Sequence, residues 1–284
     1  MTRAALHSAS PAAAKFVSGV ALFGVTAALC QFATPTHWRL VVVLTVVAAG
    51  YECFRLLGRA GAVGVLCGVA AGIALLIMPH AIGRLTPVCV LWYLAVTACG
   101  FALTLGAHWA GVLLGASRSI QLTAAGAAGA LLSCGMLAAI TVRELPSGPW
   151  VATLVVLAAW SGDMGAGVLT QRFVPTPTPI WFWASPRKNW EGVAFGALSS
   201  AAAVALALVV FRLPVSTTTA VRLVVVAWVC RPLGDLLESA IKRVADARDS
   251  SSFRWLPGHG GVFDRIDSLT LAFPVTYLVL PHPG

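Results

Sequence analysis

The chain has 284 residues, of which 58% are hydrophobic and only 10% are charged, and its mean hydropathy is +0.87. Because soluble domains carry about 25% charged residues, this composition excludes an ordinary water-soluble globular protein and indicates that a bilayer surrounds most of the chain. The net charge of +9 is explained by basic residues that flank membrane spans, and no ladder of aromatic and basic residues suggests nucleic-acid binding.

Apolar runs of roughly 20 residues, the length that crosses a bilayer as a helix, predict the elements in chain order. The predicted fold class is all-α, since the alternation typical of a membrane β-barrel is missing from the sequence. Residues 1–150 form N-terminal membrane helices, and residues 151–284 form C-terminal helices with cytoplasmic loops, within one membrane domain. The nine predicted spans are 16–35, 40–54, 61–82, 87–105, 120–141, 149–170, 191–211, 215–234 and 266–281.

Basic residues predict the orientation of these spans, because Lys and Arg accumulate in cytoplasmic loops. In the nine-span arrangement, one side holds 13 Lys and Arg and the other holds 4, while Arg222 and Arg231 lie within the eighth span. This asymmetry predicts a cytoplasmic N-terminus and an outer C-terminus. It also places the polar loops 171–190 and 242–265 on one cytoplasmic face, where they can build a common site.

The sixth apolar run and the loop after it hold the first polar candidates. Asp163 interrupts the run, and the cost of a charge in lipid predicts that it faces the bundle interior. Prolines within 175–179 exclude a helix there. We predict that Ser185 caps the seventh helix and that Arg187 and Lys188 strengthen the attraction of its N-terminus for anions. A cytoplasmic anchor with ordinary capping explains the loop equally well.

The end of the eighth span carries a charged face. Asp235, Glu238 and Lys242 are spaced i, i+3 and i+7, so they share one side of a helix. Arg231 lies inside the apolar run, where an arginine indicates a functional site, and Asp235 one turn later is its predicted partner. The alternative is a helix end with a solvated stripe of ion pairs.

Two polar turns follow this helix. Asp249, after Arg248 and before three serines, can join Asp235 in binding magnesium, which takes one or two carboxylates plus phosphate oxygens. The run Pro257–Gly261 has three glycines in four positions, so its backbone N–H groups can approach phosphate. His259 can donate to that phosphate or relay a proton, although a glycine-rich turn with one histidine is usually only a turn.

Together these segments resemble the phosphatidate cytidylyltransferase family, also called CDP-diacylglycerol synthases. The family signature S-x-hydrophobic-K-R, K-D and P-x-H-G-G-x-x-D-R-x-D is matched in order over 239–267, although Arg248 replaces the usual Lys and the spacer before Pro257 is longer than usual. The block S-P-x-K-x-x-E-G matches 185–192, with Asn189 where Thr is usual, and the likeness covers about 160–270.

The resemblance implies that CTP and phosphatidate react to CDP-diacylglycerol and pyrophosphate, with Mg²⁺ on Asp235 and Asp249 and room for a second cation. It places the enzyme in the cytoplasmic (inner) membrane, with its site facing the cytoplasm. The candidate catalytic residues are Asp235, Asp249, Lys242, His259 and Asp264. The candidate substrate-binding residues are Ser185, Arg187, Lys188, Glu191, Arg243, Arg248, Gly260, Gly261, Arg265, Asp267 and Asp163.

Two other interpretations stay open. A transporter or channel lining its path with Asp163, Arg231 and Asp235 explains the buried charges, but the sequence has no inverted repeat. A family member without turnover would bind lipid or nucleotide only. Magnesium-dependent pyrophosphate release from CTP on addition of phosphatidate separates the enzyme from both. The expected partners are CTP, phosphatidate and membrane lipid, not nucleic acid, and faces of small residues permit a homodimer.

Overall fold

The computed structural model describes residues 11–53, 55, 117–181, 185–244 and 261–280. These residues are almost entirely helical, as predicted, and the predicted spans 61–82 and 87–105 lie outside them. The elements in chain order are α1 (Pro11–Phe32), α2 (35–53), α3 (Ser117–Glu144), α4 (Gly148–Phe173), β1 (Pro179–Trp181), β2 (Ser185–Asn189), α5 (Trp190–Phe211), α6 (Thr217–Val244) and α7 (Phe263–Val279).

Among the described helices, α4 and α5 are both long enough and apolar enough to cross a membrane. The mean hydropathy of an 18-residue stretch is 1.5 in α4 and 2.3 in α5. The outer face of α5 carries large apolar side chains such as Val209 and Phe211, which are 76% and 72% exposed. An apolar outer face of this kind is what a lipid-facing helix presents, since lipid takes the place of water as the solvent.

The apolar core lies where α3, α4, α6 and α7 meet. Leu132, Leu154, Leu223 and Phe263, one from each of these helices, are almost completely buried. Among the described charged candidates, Asp163, Lys188, Asp235, Lys242 and Asp264 lie on the helices and the hairpin around this core, which holds these elements at fixed separations.

The segment between α4 and α5 differs from its prediction. Residues 174–178 are not helical, as the prolines require, but β1 and β2 then pair as an antiparallel hairpin with Trp181 opposite Ser185. The prediction that Ser185 caps the next helix is wrong, because its backbone is extended and paired. Asn189 is the cap instead, since its side-chain oxygen accepts the Gly192 N–H at 2.7 Å.

Helices α6 and α7 make a close contact at Gly234. A Cβ atom at this position would lie 2.5 Å from the carbonyl oxygen of Asp267 and 2.7 Å from Ser268 Cα. Only a residue without a side chain permits such an approach between helix backbones. Asp235 follows Gly234 on α6, and Asp264 lies one turn before Asp267 on α7, so this crossing sets how close the two candidate carboxylates come.

We expect Gly234→Ala to destabilise the protein by about 1–3 kcal/mol, because the added methyl group forces α6 and α7 apart. The midpoint of thermal unfolding in detergent measures this effect. Gly24→Ala in α1 is the matched control, since nothing lies within 4 Å of its Cβ position and alanine favours a helix. Equal midpoints for the two variants would contradict the role of Gly234 in this crossing.

Candidate active site

A cavity of about 760 Å³ lies between the end of α4, the hairpin, the first turn of α5, α6 and the start of α7. Its size falls within the range of about 300–1,000 Å³ that is usual for small-ligand pockets. Each polar segment that the sequence indicated contributes residues to the lining, as far as the structure describes that segment. The charged residues of its wall are Asp163, Arg187, Lys188, Arg231, Asp235, Asp264 and Arg265.

Lys188 on β2 forms an ion pair with Asp235 on α6. The Lys188 side chain is 35% exposed and that of Asp235 is 9% exposed, so the carboxylate belongs to the wall and the ammonium group lies toward the cavity. Enclosure lowers the pKa of Lys188, an effect that the Asp163 and Asp267 carboxylates oppose. The pair joins the loop before α5 to α6, two segments that are far apart in sequence.

Arg231 pairs with Asp163, and the predicted pairing of Arg231 with Asp235 is wrong. Its Nη1 lies 3.2 Å from Asp163 Oδ1, and its Nη2 donates to the Gly192 carbonyl oxygen at 3.4 Å. The guanidinium group occupies a slot between α4 and α5, where a Cβ atom at Gly196 would lie 2.6 Å from Arg231 Cζ. This slot directs Arg231 toward α4, which leaves Asp235 to Lys188. Asp163 faces the interior of the bundle, as its cost in lipid predicts.

Lys242 connects α6 to the start of α7. Its Nζ forms ion pairs with Glu238 on the same helix and with Asp264, at 2.7 Å from Asp264 Oδ1. The side chains of Glu238 and Lys242 are 7% and 11% exposed. The stripe predicted from their spacing is therefore present, but it is buried against α7, which contradicts the alternative of a solvated stripe.

Backbone N–H groups at the start of α7 donate to carboxylates of the protein itself. The Gly261 N–H donates to Asp264 Oδ2 at 3.3 Å, and the Val262 and Phe263 N–H groups donate to the two oxygens of Glu52 at 2.8 and 2.9 Å. A phosphate group at these three positions would have to compete with the two carboxylates. Contact between phosphate and the glycine-rich turn therefore depends on the residues before Gly261.

The remaining candidates are more dispersed. Four of them, Arg248, Asp249, His259 and Gly260, lie outside the described residues. Six described candidates do not line the cavity: Ser185, Glu191, Lys242, Arg243, Gly261 and Asp267. Glu191 accepts the Thr178 N–H at 3.0 and 3.2 Å, and thereby holds the proline-containing connector against α5. Asp267 is 4% exposed, and the Ser268 N–H donates to it at 2.6 Å.

The described residues suit a magnesium ion that takes most of its ligands from substrate and water. No group of three or more His, Cys, Asp or Glu side chains within the described ranges is arranged to hold a metal. Asp235 nevertheless offers carboxylate oxygen, the ligand that magnesium prefers, in the wall of the cavity. Magnesium at phosphate-transfer sites needs only one or two such groups, so the donor chemistry fits.

Glu52 contacts the segment that leads into the cavity wall, although no motif of the sequence indicated it. Its side chain is 3% exposed and reaches the start of α7 from α2. A signal was present, since Glu52 is the first acidic residue of the chain and lies inside the predicted span 40–54. The free-energy cost of a charge in lipid, which made Asp163 a candidate, applies equally to an acid in that span.

Comparison with known proteins agrees with the resemblance of the sequence. The profile of the Cytidylyltransferase family matches residues 14–282. A phosphatidate cytidylyltransferase of Mycobacterium tuberculosis is 29% identical over 280 aligned residues, which cover 94% of this chain and 81% of that protein. Two other phosphatidate cytidylyltransferases match over shorter segments: that of Bacillus subtilis is 35% identical, with 43% of this chain and 44% of that protein covered, and that of Haemophilus influenzae is 37% identical, with 42% of each covered.

These comparisons confirm the predicted family resemblance and the predicted class of enzyme, a nucleotidyltransferase. The family match covers most of the chain, including the N-terminal helices for which the sequence itself offered no motif. It also covers every element that lines the cavity. The chain therefore belongs to the cytidylyltransferase family.

Proposed function

We propose that this protein transfers the cytidylyl group of CTP to phosphatidate, with CDP-diacylglycerol and pyrophosphate as products. The single observation that carries the proposal is the cavity in which Lys188, Arg187 and Arg265 meet Asp235 beside two membrane-capable helices. The names of the relatives supply the substrate class. The family match and the names of the relatives favour the enzyme over the transporter interpretation.

The chemistry follows from charge. An unesterified phosphate oxygen of phosphatidate bonds to the α-phosphorus of CTP, and the bond from that phosphorus to the bridging oxygen breaks as pyrophosphate leaves with the electron pair. Both reactants are strongly anionic, so repulsion and positioning make up much of the barrier, and fixed cations lower it. Lys188, Arg187 and Arg265 would hold phosphate oxygens in the cavity, and Lys242 would hold Asp264 in place.

Asp235 and Asp249 would hold the magnesium ion, with a second cation nearby. Bound there, the ion would supply positive charge that offsets the charge of the triphosphate and of the leaving pyrophosphate. Because Asp235 is paired with Lys188, a triphosphate that draws Lys188 away would leave the carboxylate available to the metal. Binding of the nucleotide would therefore favour binding of the metal.

The proposed membrane arrangement has nine spans in one domain, a cytoplasmic N-terminus and a site facing the cytoplasm at the inner membrane. It is supported by the 13 to 4 distribution of Lys and Arg between alternate loops. The cavity lies where α4 ends and α5 begins, so it lies at the ends of two apolar helices, within reach of both a lipid headgroup and a water-soluble nucleotide.

The direct test is pyrophosphate release from CTP by the purified protein in mixed micelles of detergent and phosphatidate with magnesium. We expect stoichiometric formation of pyrophosphate and CDP-diacylglycerol, and neither product when phosphatidate or CTP is omitted. Binding of both substrates without either product would show a family member that has lost turnover, and would contradict the proposal.

Removal of divalent metal is expected to abolish this turnover. Excess EDTA should reduce product formation to the level without enzyme, because repulsion between the two phosphates is then uncompensated, and added magnesium should restore it. The midpoint of thermal unfolding, measured in parallel, should stay unchanged in EDTA if the loss is catalytic and not structural. Full turnover in EDTA would exclude Asp235 from a role in metal binding.

A further inference from the structure

We propose that Glu52 is a positioning residue, which holds the exit of the glycine-rich turn and the start of α7 in the geometry that the reaction requires. The contact is a feature of the fold, whereas its consequence for turnover rests on the function proposed above. The inference gives the N-terminal half of the chain, in which the sequence indicated no site residue, a direct part in shaping the site.

The geometry of the contact is specific. The two carboxylate oxygens of Glu52 accept hydrogen bonds from two consecutive N–H groups, those of Val262 and Phe263, at 2.8 and 2.9 Å. Glu52 is 3% exposed, so water does not offer these N–H groups an equivalent partner. The Val262 side chain forms no cap, and Glu52 therefore does from another helix what a local capping residue usually does.

A helix N-terminus stabilises such a carboxylate for two physical reasons. The first N–H groups of a helix have no partner within it, and their dipoles favour a negative charge beside them. Hydrogen bonds to a charged acceptor are also shorter and stronger than those between neutral groups. With two such bonds on one rigid carboxylate, the first turn of α7 is held against α2.

The anchored turn leads directly into the cavity wall. Asp264 follows Phe263, accepts the Gly261 N–H and forms an ion pair with Lys242 at 2.7 Å. Both Asp264 and Arg265 line the cavity. A displacement of about 1 Å at a reacting site can cost about 100-fold in rate, so loosening this turn should lower turnover even though Glu52 does not line the cavity.

The experiment compares Glu52→Gln and Glu52→Ala with Arg143→Ala as the matched control. Arg143 is 7% exposed and also connects separate helices, donating to the carbonyl oxygens of Cys30 and Ala33 at 2.9 and 2.5 Å. It does not line the cavity. Amide hydrogen–deuterium exchange over residues 261–264 of the full-length protein in detergent reports the anchor, while kcat and KM for CTP report its consequence.

We expect exchange of the Val262 and Phe263 amides to accelerate at least about tenfold in Glu52→Ala and to stay as in wild type in Arg143→Ala. Glutamine keeps one acceptor oxygen, so its effect should be intermediate. We also expect kcat to fall at least about tenfold in Glu52→Ala with little change in KM, the pattern of an interaction that matters in the transition state. If Glu52→Ala and Arg143→Ala lower the thermal midpoint by similar amounts, a difference in stability cannot account for the difference between their kcat values.

Each other outcome overturns a stated part. Unchanged exchange in Glu52→Ala would show that the carboxylate does not hold the turn. Faster exchange with wild-type kcat would show that the turn is held but that the reaction does not need it. Equal losses of kcat in Glu52→Ala and Arg143→Ala would show that Glu52 supports the fold and has no specific role in positioning the site. A wild-type protein without CTP turnover overturns the proposed function instead, and the exchange measurement still decides the anchor.

Discussion

Asp235→Asn is expected to lower kcat for cytidylyl transfer by about 10²–10³-fold, with the thermal midpoint close to that of wild type. Asparagine keeps the size of the side chain but removes the charge that would hold magnesium. Lys188 then loses its partner, but its side chain is 35% exposed to the cavity, so hydration limits the cost to stability. Initial rates at saturating CTP and phosphatidate, measured across magnesium concentrations, test this expectation.

Glu144→Gln provides the control for Asp235→Asn. Glu144 also forms an ion pair, with Arg39 at 2.5 Å, but their side chains are 36% and 32% exposed and belong to the surface. Exposed pairs contribute less than about 1 kcal/mol, so this variant should retain wild-type turnover. If Asp235→Asn also retained wild-type turnover at every magnesium concentration, Asp235 would have no part in metal binding.

Asp163→Asn is expected to destabilise the protein by about 3 kcal/mol, and clearly more than Arg231→Met does. The asymmetry follows from exposure. The Arg231 side chain is 4% exposed, whereas that of Asp163 is 35% exposed at the cavity wall. Removing the carboxylate leaves an almost completely buried guanidinium group without its partner, while removing the arginine leaves a carboxylate that cavity water can hydrate.

Thermal unfolding in detergent of both single variants and of the double variant measures this asymmetry. The double variant should lose less stability than the sum of the two single losses. Each single change leaves one charged side chain without its partner, whereas the double variant leaves neither charge. Strictly additive losses, or a larger loss in Arg231→Met than in Asp163→Asn, would contradict the pairing. Neither result depends on the protein's enzymatic activity.

The helices and the polar segments were predictable because their signals are local. The predicted span 191–211 coincides with α5 at Trp190–Phe211 to within one residue, and 149–170 lies within α4. An apolar run of this length has few alternatives to a helix, whatever surrounds it. The common site of Lys188 and Asp235 was predictable for a related reason, since loops on the same side of a membrane can meet.

The partners of the charges were not predictable from spacing. Arg231 and Asp235 are neighbours on one helix face, yet the slot beside Gly162 and Gly196 turns the arginine toward Asp163. Ser185 has the right side chain for a helix cap, but the pairing of β2 with β1 moves the helix start to Trp190. In both cases a contact with another segment replaced the local preference.

The sequence by itself determined that this chain is helical, apolar enough for lipid, and similar to the cytidylyltransferase family in the basic and acidic segments of its C-terminal half, because composition, run length and motif order are properties of the chain alone. The tertiary structure decided which cation meets which carboxylate and which helix anchors the start of α7. Such pairings depend on the distance between helices, and that distance is set by small residues at their crossings and by burial. Glu52, 210 residues before Val262 in sequence and 2.8 Å from its nitrogen, shows that difference most directly.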